Sequence, residues 1–346
     1  MFKTRMTEMF GIQHPIMLAG MNWITEPKLI SAVCNAGGLG ILATGPMNPD
    51  ETRAAVKEIR SMTDKPFGAN ASLLFPGAAN NAQVLLEEQV PVINFALGKG
   101  DWIVEAAHKY GGKVVATVVT HRHAIRAEQY GCDGLIVTGN EAAAHGGDAT
   151  TLVLVPSMAD AVKIPIIAAG GIGDGRGLAA ALALGAEGVA MGTRFMTSQE
   201  SGLHERFKEL SIEKSVYDTL YSDRFDGLWC RVMDTPPARR ALKRGLNYTG
   251  ALFNSKIIAD QLGLPWLKLF IGVMLSGWKN AKQLAYLANA FDAIQKATEE
   301  GDLEKGVLTV GQVQGLVRDI PTVEEIITRM VKEATEVRKN MDTMLP

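Results

Sequence analysis

Residues 164–195 read IPIIAAGGIGDGRGLAAALALGAEGVAMGTRF, and no other stretch of the 346-residue chain constrains its architecture as tightly. Positions 164–169 form a short, wholly apolar run, as expected of a parallel strand covered on both faces. Gly170, Gly171, Gly173, Gly175 and Gly177 follow at once. Residues 178–184 then take helical spacing, and 188–191 return to strand before Gly192 and Thr193. Glycines at the carboxyl ends of two successive strands let backbone N–H groups approach a ligand with no Cβ in the way. A helix opening beside them is expected to add its positive end, so the paired turns suit a phosphate dianion. In an eight-stranded α/β barrel, phosphate commonly sits after strands seven and eight. One such loop would serve as a tight turn alone, whereas two at corresponding positions favour phosphate. The block is not the dinucleotide fingerprint, because the sixth position from Gly171 is Arg176 and no acidic residue ends the next strand. No G-x-x-x-x-G-K-[ST] loop for a nucleoside triphosphate is present either.

Upstream, apolar strand-like runs recur at intervals of roughly 20–25 residues with helical stretches between them. Strands are expected at 14–20, 38–44, 66–73, 90–97, 113–119 and 134–138. Helices are expected at 27–36, 49–62, 81–89, 101–110, 121–130 and 151–162. Eight β-then-α units within residues 1–200 make the (β/α)8 TIM barrel the expected fold, rather than an open doubly wound sheet. From about residue 201 the alternation stops. Residues 201–346 read as a helix-rich C-terminal extension, with helices at 203–210, 238–246, 264–297 and 323–344. It is expected to pack over the barrel mouth or to form a subunit interface, as in a homodimer. No low-complexity linker sets it apart.

Composition narrows the function. A net charge of −2 offers no global attraction to nucleic acid or to an anionic membrane. The apolar stretch 266–285 is interrupted by Lys268, Lys279 and Lys282 and reads as a buried or interface helix rather than a spanning one. Cys34, Cys132 and Cys230 are widely spaced, so neither a metal site nor a disulfide framework is indicated. The opening MFKTRMTEMFGIQHP lacks the hydrophobic core and cleavage pattern of a signal peptide, so a cytoplasmic protein is expected.

Functional residues of such barrels lie at the carboxyl ends of the strands. That rule selects Ala19, Gly20 and Met21 after strand one, Asn70 after three, Thr138 and Gly139 after six, and the glycines after seven and eight. The sixth connection, GNEAAAHGGDAT at 139–150, is long and carries His145 among small neighbours that leave room for a ligand. His145 is therefore the foremost catalytic candidate. Glu141 either orients it or is solvated. Asn70, within an apolar strand, is costly unless its amide is paired. It serves either as a core amide or as a match for the donor–acceptor edge of a flavin. His14 reads as a strand-start hydrogen-bonding group, His121 and His123 as solvated helix openers, and Met17, Met21 and Trp23 as core.

The runs HPIMLAGM, NAGGLG, PFGAN, GNEAAAHGG, AAGGIGDGRG and MGTRFMTSQES stand in order over residues 1–200. Together they resemble the nitronate monooxygenase (2-nitropropane dioxygenase) family of FMN-containing barrels, and GQVQGLVRDIP at 311–321 resembles a late helix of its longer members. The same superfamily includes NADH:quinone reductases and flavin-type enoyl-acyl-carrier-protein reductases. The resemblance implies FMN as cofactor and assigns Asn70, Thr138 and Ala143 to flavin contacts. It assigns Gly170, Gly171, Gly192 and Thr193 to the phosphate cradle, and His145 to the active-site histidine. Family members commonly carry glycines before that histidine, where this chain has Ala143 and Ala144, a departure that reshapes the pocket beside the flavin. Oxidation of an alkyl nitronate by O2 is the first expectation. A pyridine-nucleotide-dependent reductase acting on quinones or enoyl thioesters is the second, and a flavin-free phosphate-binding barrel is a third class.

Overall fold

The computed structural model describes residues 2–143, 145–275 and 277–344. Eight parallel strands form one sheet: β1 (Ile16–Leu18), β2 (Ile41–Ala43), β3 (Gly68–Ser72), β4 (Val92–Ala96), β5 (Lys113–Val118), β6 (Gly134–Thr138), β7 (Ile166–Ala169) and β8 (Gly188–Met191). The sheet runs β1-β8-β7-β6-β5-β4-β3-β2. Its two ends meet through a Met17–Leu39 bridge, with Leu18 N donating to Leu39 O at 2.9 Å. The expected TIM barrel is thus the observed fold.

Each strand shares its residues between two cores, as a period of two requires. Met17, Ile41, Val92, Val115, Ile136 and Ile167 fill the barrel interior. Ile16, Leu18, Leu42, Ile93, Val114 and Leu135 pack outward against the helices. Helix α1 (Arg5–Phe10) plugs the amino-terminal end, placing Met6 and Phe10 in the interior cluster. The other end stays open, and there the interior positions turn polar, at Asn70, Asn94, Thr117 and Thr138.

The wall helices are α2 (Pro27–Asn35), α3 (Pro49–Met62), α4 (Ala78–Glu87), α5 (Asp101–His108), α6 (His121–Gln129), α7 (Thr151–Ala161) and α8 (Gly175–Ala183). A single turn, α9 (Thr193–Met196), follows β8. The chain continues through α10 (Glu205–Glu213), an antiparallel hairpin of β9 (Thr219–Ser222) and β10 (Cys230–Met233), and α11 (Pro236–Arg244). It ends with α12 (Tyr248–Gln261), α13 (Trp266–Leu275), α14 (Trp278–Thr298), a 3-10 turn at Gln312–Leu316, and α15 (Val323–Met344).

The tail departs from expectation in four ways. The β9–β10 hairpin and α12 were not foreseen. The helix expected at 264–297 is two helices, with Gly277 at φ 94° opening the second; such a backbone favours glycine and interrupts a right-handed helix. Helix α13 buries none of its residues, so of the two expected readings, buried or interface helix, the buried one does not hold. Finally, α15 lies on the barrel's flank against α8 and α2, and it is the hairpin and α14 that line the mouth. It buries Ile326, Ile327 and Met330 in the barrel's own outer core, at about 1.5–3 kcal/mol per side chain. A Cβ at Gly175 would stand 2.5 Å from Ala334 N and Met330 O, so this glycine serves the packing of α8 on α15.

Candidate active site

The open end of the barrel holds a cavity of about 670 Å³, within the range of small-molecule sites. Ala19, Gly20, Met21, Asn70, Thr138, Ala143, His145, Gly170, Gly171, Gly192 and Thr193 all line it. These sequence candidates thus surround one space, whereas Gly139, Gly173, Gly175 and Gly177 do not line it; Ala144 lies outside the described residues.

One side of the cavity is backbone. Gly170 and Gly171 have φ of 102° and 74°, a left-handed conformation that favours glycine. A Cβ at Gly170 would come within 3.1–3.2 Å of Thr151 Oγ1, Ala142 N and Gly139 O, and one at Gly192 within 3.2 Å of Met21 Sδ. Among the described residues, the N–H groups of Gly171, Gly192 and Thr193 have no hydrogen-bond acceptor. Three free donors beside glycines that exclude side chains form a cradle for an anion, and the phosphate of a flavin nucleotide fits this donor set. The helix end at the cradle is not the one expected. The amino terminus of α8 is filled by protein: Asp174 Oδ1 accepts from Arg176 N and Gly177 N, and Gly175 N donates to Glu333 Oε2 at 2.7 Å. The turn that opens on the cradle is α9, whose Thr193 hydroxyl accepts from Gly311 N at 3.0 Å.

The floor is a line of side chains across β3, β4 and β5. Asn70 and Asn94 are register partners. Asn70 Nδ2 donates to Asn94 Oδ1, and Ser72 Oγ donates to Asn70 Oδ1 at 3.1 Å. Asn94 Nδ2 donates to Val115 O and to Thr117 Oγ1, each at 3.1 Å. The Asn70 amide is therefore paired with side chains rather than backbone, and it keeps one N–H and one lone pair for a ligand. Asn94 follows the same logic as Asn70, a polar residue inside the apolar run 90–97, and the same criterion would have found it.

The third side comes from the tail. His145 Nε2 lies 2.7 Å from Asp226 Oδ2, and the Asp226 side chain is 8% exposed. Asp226 Oδ1 accepts from Leu228 N at 3.0 Å, so the carboxylate is held on both oxygens. Among the described residues, His145 Nδ1 makes no hydrogen bond. Glu141 is neither the orienting partner of His145 nor a solvated group. Its carboxylate takes Thr151 N at 2.9 Å and Thr151 Oγ1 at 2.9 Å, at the start of α7. The hairpin also fastens the loop that carries His145. Tyr221 Oη donates to Gly146 O at 3.0 Å, and Arg231 Nη2 donates to Asn140 Oδ1 at 2.9 Å. Arg231 is buried, which lowers its affinity for a proton, and its guanidinium lies 5.0 Å from the Tyr221 ring centroid. Cys230 also lines the cavity, but burial pushes its thiol well above the ordinary range, so it is no nucleophile. Asp226 was missed because it stands 81 positions from its partner. The one local signal was its Asp-Gly pair, a common hairpin turn.

Other histidines divide differently. His14 Nδ1 is buried with no partner among the described residues, and burial lowers its proton affinity. His121 Nε2 lies 2.7 Å from Ser157 Oγ. His123 is exposed, as expected of a helix opener, but it also borders the cavity. With Lys99, Arg122 and Arg126 it makes a basic rim. Among the described residues none of these four side chains is paired with a carboxylate.

The nitronate monooxygenase profile matches residues 3–84 and 77–333. The chain is 37% identical over 338 residues, 96% of each chain, to the (3aS,4S,5R,7aS)-5-hydroxy-7a-methyl-1-oxo-octahydro-1H-indene-4-carboxyl-CoA dehydrogenase of Rhodococcus jostii (strain RHA1). A probable nitronate monooxygenase of Staphylococcus aureus (strain JH9) is 32% identical over 275 residues, covering 66% of this chain and 78% of its own. Among solved structures, FabK from Thermotoga maritima superposes with a TM-score of 0.83 at 37% identity, covering 100% of both chains. Enzymes of this kind are in general flavin-dependent. Sequence and structure together place the chain in the nitronate monooxygenase family, as an oxidoreductase on a TIM barrel.

Proposed function

We propose that this protein is an FMN-dependent oxidoreductase that acts on the carbon skeleton of an acyl thioester carried by a phosphorylated pantetheine such as coenzyme A. The observation that carries this reading is the shape of charge around the cavity. An apolar chamber ends in a backbone anion cradle on one side and opens past Lys99, Arg122, His123 and Arg126 on another. Two separate anion-attracting features, backbone donors within and cationic side chains at the rim, call for two anionic groups, the cofactor phosphate and a polyanionic substrate tail. A small alkyl nitronate bears no polyanionic tail and leaves the rim without a ligand. The relative of similar length whose name specifies a CoA ester supports the same choice.

FMN, held by Gly171, Gly192 and Thr193, would supply two-electron redox chemistry at its ring. The chain's own residues do the rest. Asn70 holds the ring edge with its remaining amide N–H and lone pair. Asp226 keeps His145 Nε2 engaged and the imidazole fixed, leaving Nδ1 to take or give the proton at the substrate carbon beside the thioester carbonyl. The hairpin anchors Tyr221 and Arg231 keep that histidine's loop in place.

Heat-released cofactor identified by chromatography should be FMN; FAD would contradict the single-phosphate cradle. In the flavin-loaded protein, the double substitution Arg122→Glu, Arg126→Glu should weaken acyl-CoA binding by about 10-fold or more at low salt, with the difference shrinking as salt rises. Unchanged affinity would remove the rim from the substrate site and return the nitronate reading to first place.

A further inference from the structure

A second pocket, of about 200 Å³, lies within the α12–α14 helices and borders the main cavity. The two spaces share three wall residues, Phe75, Leu287 and Phe291. Trp266, Phe270 and Ala288 also line it. Its polar groups are mostly spent on each other: Trp266 Nε1 donates to Ser255 Oγ at 3.0 Å, and that hydroxyl donates to Leu252 O at 2.7 Å. Lys282 stands exposed at the edge. Such a space binds hydrocarbon more readily than water.

We infer that this annex receives the hydrocarbon end of the substrate, so that the enzyme selects long or bulky carbon skeletons over short ones. The inference rests on the thioester reading for the substrate's other end, but the annex recognises hydrocarbon whatever the carrier. Its wall is shared with the active-site cavity at Phe75, Leu287 and Phe291, and this continuity makes a ligand extending from the site the occupant. The annex also opens to solvent, where its lining residues Tyr248, Met274 and Trp278 are 56%, 54% and 68% exposed, so a second copy of the chain is the competing occupant.

The test is calorimetric titration of the flavin-loaded protein with saturated acyl-CoA esters and free fatty acids of four to twelve carbons. Beyond the length that fills the main cavity, affinity in both series should rise by up to about fourfold per methylene entering the annex. Ala285→Trp and, independently, Ala281→Trp add bulk at half-buried annex positions on α14. Either should flatten that rise and leave four-carbon affinity unchanged. A flat series in the unmodified protein, or an undiminished slope in folded variants, overturns the inference. So does a dimer in sedimentation that either tryptophan dissociates, since a second copy would then fill the pocket. Failure of the thioester reading looks different: the slope persists, but esters bind no better than free acids.

Discussion

The turns after β7 and β8 and the β9–β10 hairpin face the same cavity, yet they equip it in opposite ways. The turns offer backbone: free N–H groups at Gly171, Gly192 and Thr193, with side chains excluded by geometry. The hairpin offers side chains: Asp226 against His145, with Tyr221 and Arg231 holding the loop. This backbone site draws on two glycine turns within one 32-residue block and can be read from that block. A side-chain site needs one residue from each of several distant elements, and its members carry no mark until the chain folds.

This contrast can be broken at several points. The largest effect is expected at the cradle. Gly171→Asp sets a carboxylate beside the cofactor phosphate and strains a backbone at φ 74°. Flavin retention should be lost while circular dichroism still reports a folded barrel. Full flavin occupancy in this variant would put the phosphate elsewhere. His145→Ala should keep its flavin and lose about 10²-fold or more in turnover, the scale of one positioned proton-transfer group. Loss of flavin instead would make the histidine part of the cradle. Asp226→Asn preserves shape and removes charge, and we expect a smaller loss of about 10-fold in kcat with KM and flavin content unchanged. An unaltered kcat would reduce the hairpin to a structural clasp.

The smallest effect belongs to the barrel alone. Burial lowers the proton affinity of His14 below its ordinary value of 6.5, so the unfolded chain binds that proton more readily. Stability is then intact above about pH 6.5 and declines as pH falls through the lowered folded-state value. The melting temperature should drop between pH 7 and pH 5, and by less in His14→Gln. Equal drops in both proteins would assign the acid sensitivity to other groups.

The barrel was legible because each strand is a short apolar run closed by turn residues, and the regular spacing of eight such runs leaves few architectures. Asn70, His145 and the glycine pairs were legible because each violates its local context. The tail was less so. Helix α13 is apolar apart from Lys268 and reads as a buried or an interface helix; none of its residues is buried. The hairpin strands are only four residues each, too short for alternation to register. Gly175 looked like part of the phosphate loop, but α15, some 150 positions on, claims it through Glu333, Met330 and Ala334.

The most direct test is a single anaerobic mixing experiment. Dithionite-reduced, flavin-loaded protein should be reoxidised by a 2-enoyl-CoA, two electrons and two protons passing to the carbon–carbon double bond, and the visible flavin absorbance should return without oxygen. Reduced protein that stays bleached with enoyl-CoA, while the oxidised form is bleached rapidly by propane-2-nitronate, would contradict the thioester reading and establish nitronate as the substrate.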